Sequence, residues 1–205
     1  MADTYVDAGS LSERLELLEL QETGPGVWEW VSTLLLWGQV EVDGGKNLFS
    51  SVGIGARNAK LVVRTRPLTL HQALRWRGQH LFLTSITKLD RTHLSVQASL
   101  VEPVSCLATR TEDTVGEAGR PVTGETMRVM FPGIITEHYV RYERQETHGE
   151  NDASYVLVTP KQIALKSGDQ VEVQDGPVKA AYYVTACHVL DGYKNEYEIA
   201  WRGDV

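Results

Sequence analysis

Six histidines, two cysteines and 27 carboxylate side chains are the residues of this 205-residue chain suited to acid–base, nucleophilic or metal chemistry. The histidines are scattered as His71, His80, His93, His138, His148 and His188, and no two stand at metal-ligand spacing with a third ligand close by. Cys187 and His188 are adjacent, and neighbours on a strand point to opposite faces, so they cannot form a dyad. No Gly-x-Ser-x-Gly, phosphate-loop or His-Glu-x-x-His pattern occurs. The loop at 143–152 carries Glu143, Glu146, Glu150, Asp152 and Asn151, a composition that suggests calcium. It lacks the alternating ligand spacing and closing bidentate glutamate of a calcium loop, and reads as a solvated loop. Gly53-Ile-Gly55 has neither the third glycine nor the βαβ setting of a dinucleotide fingerprint. Arg202-Gly203-Asp204 matches an integrin-binding tripeptide, too short a match to carry weight. The expectation is therefore no catalytic residue, no metal and no cofactor.

Two features speak instead to binding. Trp28, Trp30 and Trp37 lie in the most apolar region, 27–42, and read first as core and domain contact. Stacking on bases or sugars would call for neighbouring basic residues, and 24–45 has no Lys or Arg. Arg57, Lys60, Arg64, Arg66, Arg75 and Arg77 form a basic stripe in a chain of net charge −7. A solvated sheet face covered by arginine stems accounts for the stripe more readily than a binding strip does. The acidic surplus, 27 acidic against 20 basic side chains, disfavours a dedicated phosphate-binding surface.

The elements that would position these residues read as strands. A hairpin pattern occurs twice, at 81–98 and at 182–199, with polar and apolar residues alternating on either side of a Leu-Asp turn. Aligned on Asp90 and Asp191, Thr84 meets Thr185 and Leu89 meets Leu190, and the second turn takes about two extra residues. The repeat suggests two similar units. The fold class expected is all-β, two small antiparallel barrel or sandwich domains in tandem: 1–103, a polar Gly/Thr-rich linker at 104–125, and 126–205. In the second, strands are expected at 126–131, turned by Pro132-Gly133, then at 134–143, 154–158, 161–166, 169–174, 179–188 and 195–201. Residues 10–22 read two ways: Ser10 and Glu13 have capping-box spacing, while Leu15, Leu17, Leu18 and Leu20 fit a bulged strand. Asp43 to Asn58 holds four glycines in sixteen residues and reads as a long loop.

The N-terminal ten residues lack a basic region followed by an apolar one, and no apolar run approaches the roughly 18 residues of a membrane span. Synthesis in a reducing cytoplasm and no membrane partner are expected.

The order of motifs in the first hundred residues resembles the head-tail joining, or head-closure (stopper), proteins of tailed bacteriophages. The resemblance rests on Leu15-Glu-Leu-Leu-Glu-Leu20, then Leu36-Trp-Gly-Gln-Val-Glu41, a variable loop, Val63-Arg-Thr-Arg66, Ala73-Leu-Arg-Trp-Arg-Gly78 and the hairpin running to Val101-Glu-Pro103. It covers about half the chain. The second half departs from the pattern, although Phe131-Pro-Gly-Ile-Ile-Thr-Glu137 and 189–198 look phage-structural.

The resemblance implies strand at 14–20 and a homo-oligomeric ring of six or twelve subunits beneath the portal and its adaptor. Such a ring would close the DNA channel after packaging and dock the tail, placing the protein in the neck of the virion. Partners implied are portal, adaptor and tail proteins, with double-stranded DNA passing close by. Gly44, Gly45, Lys46, Asn47, Leu48, Phe49, Gly53, Ile54 and Gly55 stand where such proteins carry a channel-facing loop, and are the gate candidates. Arg64, Arg66, Arg75, Arg77, Glu146, His148 and Asp152 are candidates for partner contact. An acidic wall would pass DNA without gripping it. Two other readings stand beside this one: a two-barrel module of oligonucleotide/oligosaccharide type that binds single strands or glycans, and an enzyme with an unrecognised site.

Overall fold

A computed structural model describes residues 8–43, 56–115, 121–137, 154–175, 180–188 and 191–204. The chain divides into two compact units, Met1–Gln21 with Trp30–Pro103, and Glu22–Glu29 with Val104–Val205. Apart from a short 3-10 turn at Ala8–Ser10, the regular elements are all strands, so the class is all-β. Among the described residues no helix is long and apolar enough to cross a membrane.

The first unit is built from β1 (Glu13–Gly24), β2 (Val27–Val42), β3 (Arg57–Arg64), β4 (Gln72–Trp76), β5 (Gln79–Lys88) and β6 (His93–Val101). They run β1-β4-β5-β6-β3-β2, and pairing of β2 back onto β1 closes the barrel. Alternation explains which residues face inward. Leu15 and Leu17 on β1, Ala59, Leu61 and Val63 on β3, and Val96 and Ala98 on β6 are all buried, each separated from the next by a residue that faces out. Burying each leucine of this set is worth about 2 kcal/mol. The capping-box spacing at Ser10 does not start a helix: β1 needs its leucines on a pleated inner face, and its glutamates line up opposite Gln72 and Arg75 of β4.

The second unit uses β7 (Val104–Val115), β8 (Pro121–Glu137), β9 (Ser154–Pro160), β10 (Gln170–Val173), β11 (Ala180–His188) and β12 (Lys194–Asp204). Their order, β8-β7-β10-β11-β12-β9 with β9 returning to β8, is that of the first unit taken strand for strand. The tip of the β1–β2 hairpin also belongs here: Val27 pairs in parallel with Met130, and the Met130 N–H donates to the Gly26 carbonyl at 2.7 Å.

The match between barrels extends to single residues. On β5 and β6, Leu83 pairs with Ala98 and Ser85 with Gln97, so Thr84 is skipped. On β11 and β12, Val184 pairs with Ile199 and Ala186 with Glu198, so Thr185 is skipped. Each is a β-bulge. The offset between the two copies is the same on both strands, so the second turn has no extra residues, and the two-residue insertion expected there is corrected. Register is fixed by the inward face, which pairs Val96 with Tyr197 and Ala98 with Ile199 as equivalent core positions. The glycines follow suit. A side chain on Gly38 of β2 would meet Leu15 and Val63, and one on Gly133 of β8 would meet Cys106 and Leu157, from the equivalent neighbouring strands.

Several expectations need correcting. Residues 104–115 and 121–125 belong to strands and not to a linker: β7 and β8 form a ladder from Val104 opposite Gly133 to Val115 opposite Pro121. Their threonines are good sheet formers, and the polarity that suggested a linker belongs to exposed positions such as Thr111 and Thr126. Pro132-Gly133 does not turn the chain but lies within β8, opposite Ser105 and Val104. Residues 161–166 are not a strand. Ile163 and Leu165 are buried, which gives the alternation. Their backbone groups are satisfied by side chains instead of a ladder: Asn195 Nδ2 donates to the Ile163 carbonyl at 2.9 Å, the Tyr197 hydroxyl donates to the same carbonyl at 2.9 Å, and Leu165 N–H donates to the Tyr197 hydroxyl at 3.0 Å. The gate candidates Gly44, Gly45, Lys46, Asn47, Leu48, Phe49, Gly53, Ile54 and Gly55 lie outside the described residues, as do Glu146, His148 and Asp152.

Candidate interaction surface

The basic stripe of the first unit separates into two groups with different partners. β4 runs antiparallel to β1 with Arg75 opposite Glu16 and Trp76 opposite Leu15. Arg75 Nη1 lies 3.2 Å from Glu16 Oε2, and Arg77 Nη2 lies 2.8 Å from Glu13 Oε1. Glu13 also accepts from the Trp76 indole N–H at 2.7 Å. That indole bond, followed by the bonds from Arg77, holds the Glu13 carboxyl below the usual carboxylate range. Arg77 adopts φ 50° ahead of Gly78 at φ 80°, and its guanidinium sits 4.8 Å from the centre of the Trp76 ring. Arg75 and Arg77 are thus each paired with a glutamate of β1, and Arg77 stands in the β4–β5 turn.

Arg64 and Arg66 belong elsewhere. The β2–β3 ladder ends with Gly38 opposite Val63, and Trp37 and Arg64, the residues next to that last pair, line the same groove. Gly38 and Val63 face the core, so Trp37 and Arg64 face out. Trp37 is 60% exposed, against the expectation that it is core, and Leu35 beside it on the same face is 51% exposed. Trp28 and Trp30 are half-buried. Leu11, Leu36, Trp37, Val63, Arg64 and Arg66, with Thr65, line an open groove of about 480 Å³. Among the described residues neither arginine has a carboxylate partner. The sequence shows Arg64 and Arg66, and Trp37 reads there as core and domain contact. The signal that would have corrected this is its place next to Gly38, which must itself face inward to make room for Leu15.

The remaining chemistry-bearing residues are held in structural roles. The turn carboxylate Asp90 accepts from His93 Nδ1 at 2.8 Å and from the Thr92 and His93 backbone N–H groups at 2.6 and 2.7 Å. The His93 bond, then the Thr92 backbone, lower its pKa to about 2. Asp191 in the equivalent turn is 3.4 Å from Lys194 Nζ, again three residues on. His188 pairs with Glu198 at 2.9 Å, while Cys187 Sγ donates to the Leu165 carbonyl, so the two do not act together. Cys106 is buried, and burial pushes its thiol up to about 12. Sequence reading missed the pair formed by Arg110 on β7 and buried Asp169, joined at 2.8 and 2.6 Å. It borders a smaller groove of about 170 Å³ that includes Trp28, Met127 and Val129. Among the described residues no three His, Cys, Asp or Glu side chains come together to hold a metal ion.

No protein-family model matches the chain, and no curated protein matches it. Among solved structures it is similar to a chain of the "Virion of native gene transfer agent (GTA) particle", at 21% identity and a TM-score of 0.37, over 44% of this chain and 96% of that one. A likeness of that degree leaves the function to be argued from the residues.

Proposed function

We propose that this protein is a structural, non-enzymatic component of a phage-type virion, acting in the neck as a head-closure protein. It assembles as a ring of six or twelve copies beneath portal and adaptor, retains the packaged DNA and offers the tail its docking surface. The observation that carries this reading is the order of the family-like motifs along the first unit. They fall in sequence on β1, β2, β3, β4 and the β5–β6 hairpin of one closed barrel, with the variable loop between β2 and β3.

In this reading the stretch holding Gly44 to Gly55 is the gate, hung between two strands whose register is fixed by buried Leu61 and Val63. Motion of that stretch between open and closed states is a conformational role, needing no catalytic group. The net charge of −7 supports passage of DNA without capture.

The gate is tested by deleting residues 46–56 in the virion-producing strain. Heads are expected to fill, then lose DNA to added nuclease, while the purified variant melts like the parent. Heads that retain DNA and join tails normally would contradict the gate assignment.

A further inference from the structure

We propose that the groove of the first unit between Trp37 and Arg66 is a docking site for an extended acidic peptide that carries one large apolar side chain. The proposal does not depend on the neck reading, since it rests on this groove alone.

Its floor and its rim ask for different chemistry. Leu11, Leu36 and Val63 are buried, giving a floor that favours an aliphatic or aromatic side chain. The rim carries the guanidiniums of Arg64 and Arg66 and the exposed ring of Trp37, with no carboxylate among the lining residues. Arg75 of β4 and Arg77 of its turn are each matched to a glutamate of β1, whereas Arg64 and Arg66, beside Trp37 at the groove, have no carboxylate partner among the described residues. Two guanidiniums without a carboxylate partner among the described residues suit carboxylates, which they bind through paired N–H donors. Tryptophan and arginine side by side over an apolar pocket are the residue types that dominate the affinity of protein interfaces. At about 480 Å³ the groove has room for a few side chains, not a folded domain.

A nucleic-acid strand fits less well. Its phosphates would meet two cations at one place in a chain of net charge −7, and a floor of leucine and valine offers a phosphate nothing.

The test uses the full-length protein and three fluorescein-labelled probes of equal length: a peptide of glutamates around a central leucine and tryptophan, the same peptide with lysines in place of glutamates, and an oligo-dT strand. Fluorescence anisotropy should show saturable binding of the glutamate peptide only. Trp37→Ala, and Arg64→Ala with Arg66→Ala, should each weaken it at least tenfold without shifting the melting temperature, since these side chains are not part of the core. Arg64→Glu with Arg66→Glu should exchange the preference, binding the lysine peptide in place of the glutamate one. Tighter binding of oligo-dT that is lost in the same variants would overturn the proposal in favour of nucleic acid. Glutamate-peptide binding that is absent, or unchanged in all three variants, would overturn it outright.

Discussion

Thr84 and Thr185 occupy the same place in their respective barrels, each skipped by the ladder of a hairpin whose turn aspartate pairs with a side-chain nitrogen three residues on, from His93 in one and Lys194 in the other. With the strand orders identical, the first to sixth and seventh to twelfth strands describe one barrel plan used twice. A bulge bends its strand and raises the local twist, which a six-stranded closed sheet needs at a fixed point of its circumference. The two barrels have kept that point while filling their cores differently: Val96 and Ala98 in one stand where Tyr197 and Ile199 stand in the other.

The paired glycines give a first prediction. A methyl group on Gly38 would lie 2.9 Å from the Val62 carbonyl oxygen and 2.8 Å from Leu15 Cδ1. On Gly133 it would lie 2.7 Å from Leu157 Cδ1 and 2.9 Å from Cys106 Sγ, which are side-chain atoms able to shift. Gly38→Ala should therefore cost about 1–3 kcal/mol and Gly133→Ala less, as read from urea unfolding. Equal costs would mean that the backbone oxygen beside Gly38 yields as readily as a side chain.

Buried Asp169 supplies the second. Its carboxylate takes two N–H groups from Arg110 and the backbone N–H of Lys166 at 2.7 Å, while its own carbonyl accepts from Val184 at 2.9 Å. Arg110→Ala leaves that carboxylate buried without its cation and should destabilise by about 3–5 kcal/mol. Adding Asp169→Asn should recover part of the loss, because the uncompensated charge is then gone. A double variant as unstable as the sum of the two single changes would show that the pair is not coupled.

His80 makes stability depend on pH. Its ring is packed 5.3 Å from that of Trp30, and Nε2 is buried without a hydrogen-bond partner. Burial first, and the nearby Arg75 charge second, lower its pKa from 6.5 to about 4. Between those values the unfolded chain binds a proton that the folded one refuses, so this contribution is complete above pH 6.5 and is lost as pH falls towards about 4. The loss is about 3 kcal/mol, taken as the difference in pH dependence between the parent and His80→Leu. Parallel pH profiles for the two proteins would remove His80 as the cause.

The thiols should separate by accessibility. Cys187 is exposed and Cys106 is buried with its pKa raised to about 12. A maleimide reagent at pH 7.5 should modify Cys187 promptly and Cys106 only after unfolding, as mass spectrometry of digested protein would read. Prompt modification of Cys106 would mean that the second barrel opens near β7.

What the sequence made legible was whatever repeats along one strand. The alternation at 81–98 and 182–199 yields the β5–β6 and β11–β12 hairpins, while the leucines of 15–20 leave helix and strand open until pairing with β4 decides for strand. Alternation failed where burial without a ladder imitates it. Ile163 and Leu165 face inward like strand residues, yet Asn195 and Tyr197, each 32 residues further along the chain, satisfy the backbone between them. Composition failed at 104–125, because exposed threonines serve a sheet and a linker alike. The groove could not be read from one segment, since Trp37 and Arg64 become neighbours only through the β2–β3 register. Arg75 and Arg77 looked equivalent to Arg64 and Arg66 until β1 placed glutamates beside them.

The most direct test of the neck reading is to remove the protein from the particle in which that reading places it. The coding sequence is disrupted in the producing strain, and lysates are examined by electron microscopy with nuclease treatment. The account predicts normal numbers of heads and tails that do not join, with head DNA open to the nuclease, and recovery of joined particles when the protein is supplied from a plasmid. Joined, infectious particles formed at the parental level in its absence would contradict it.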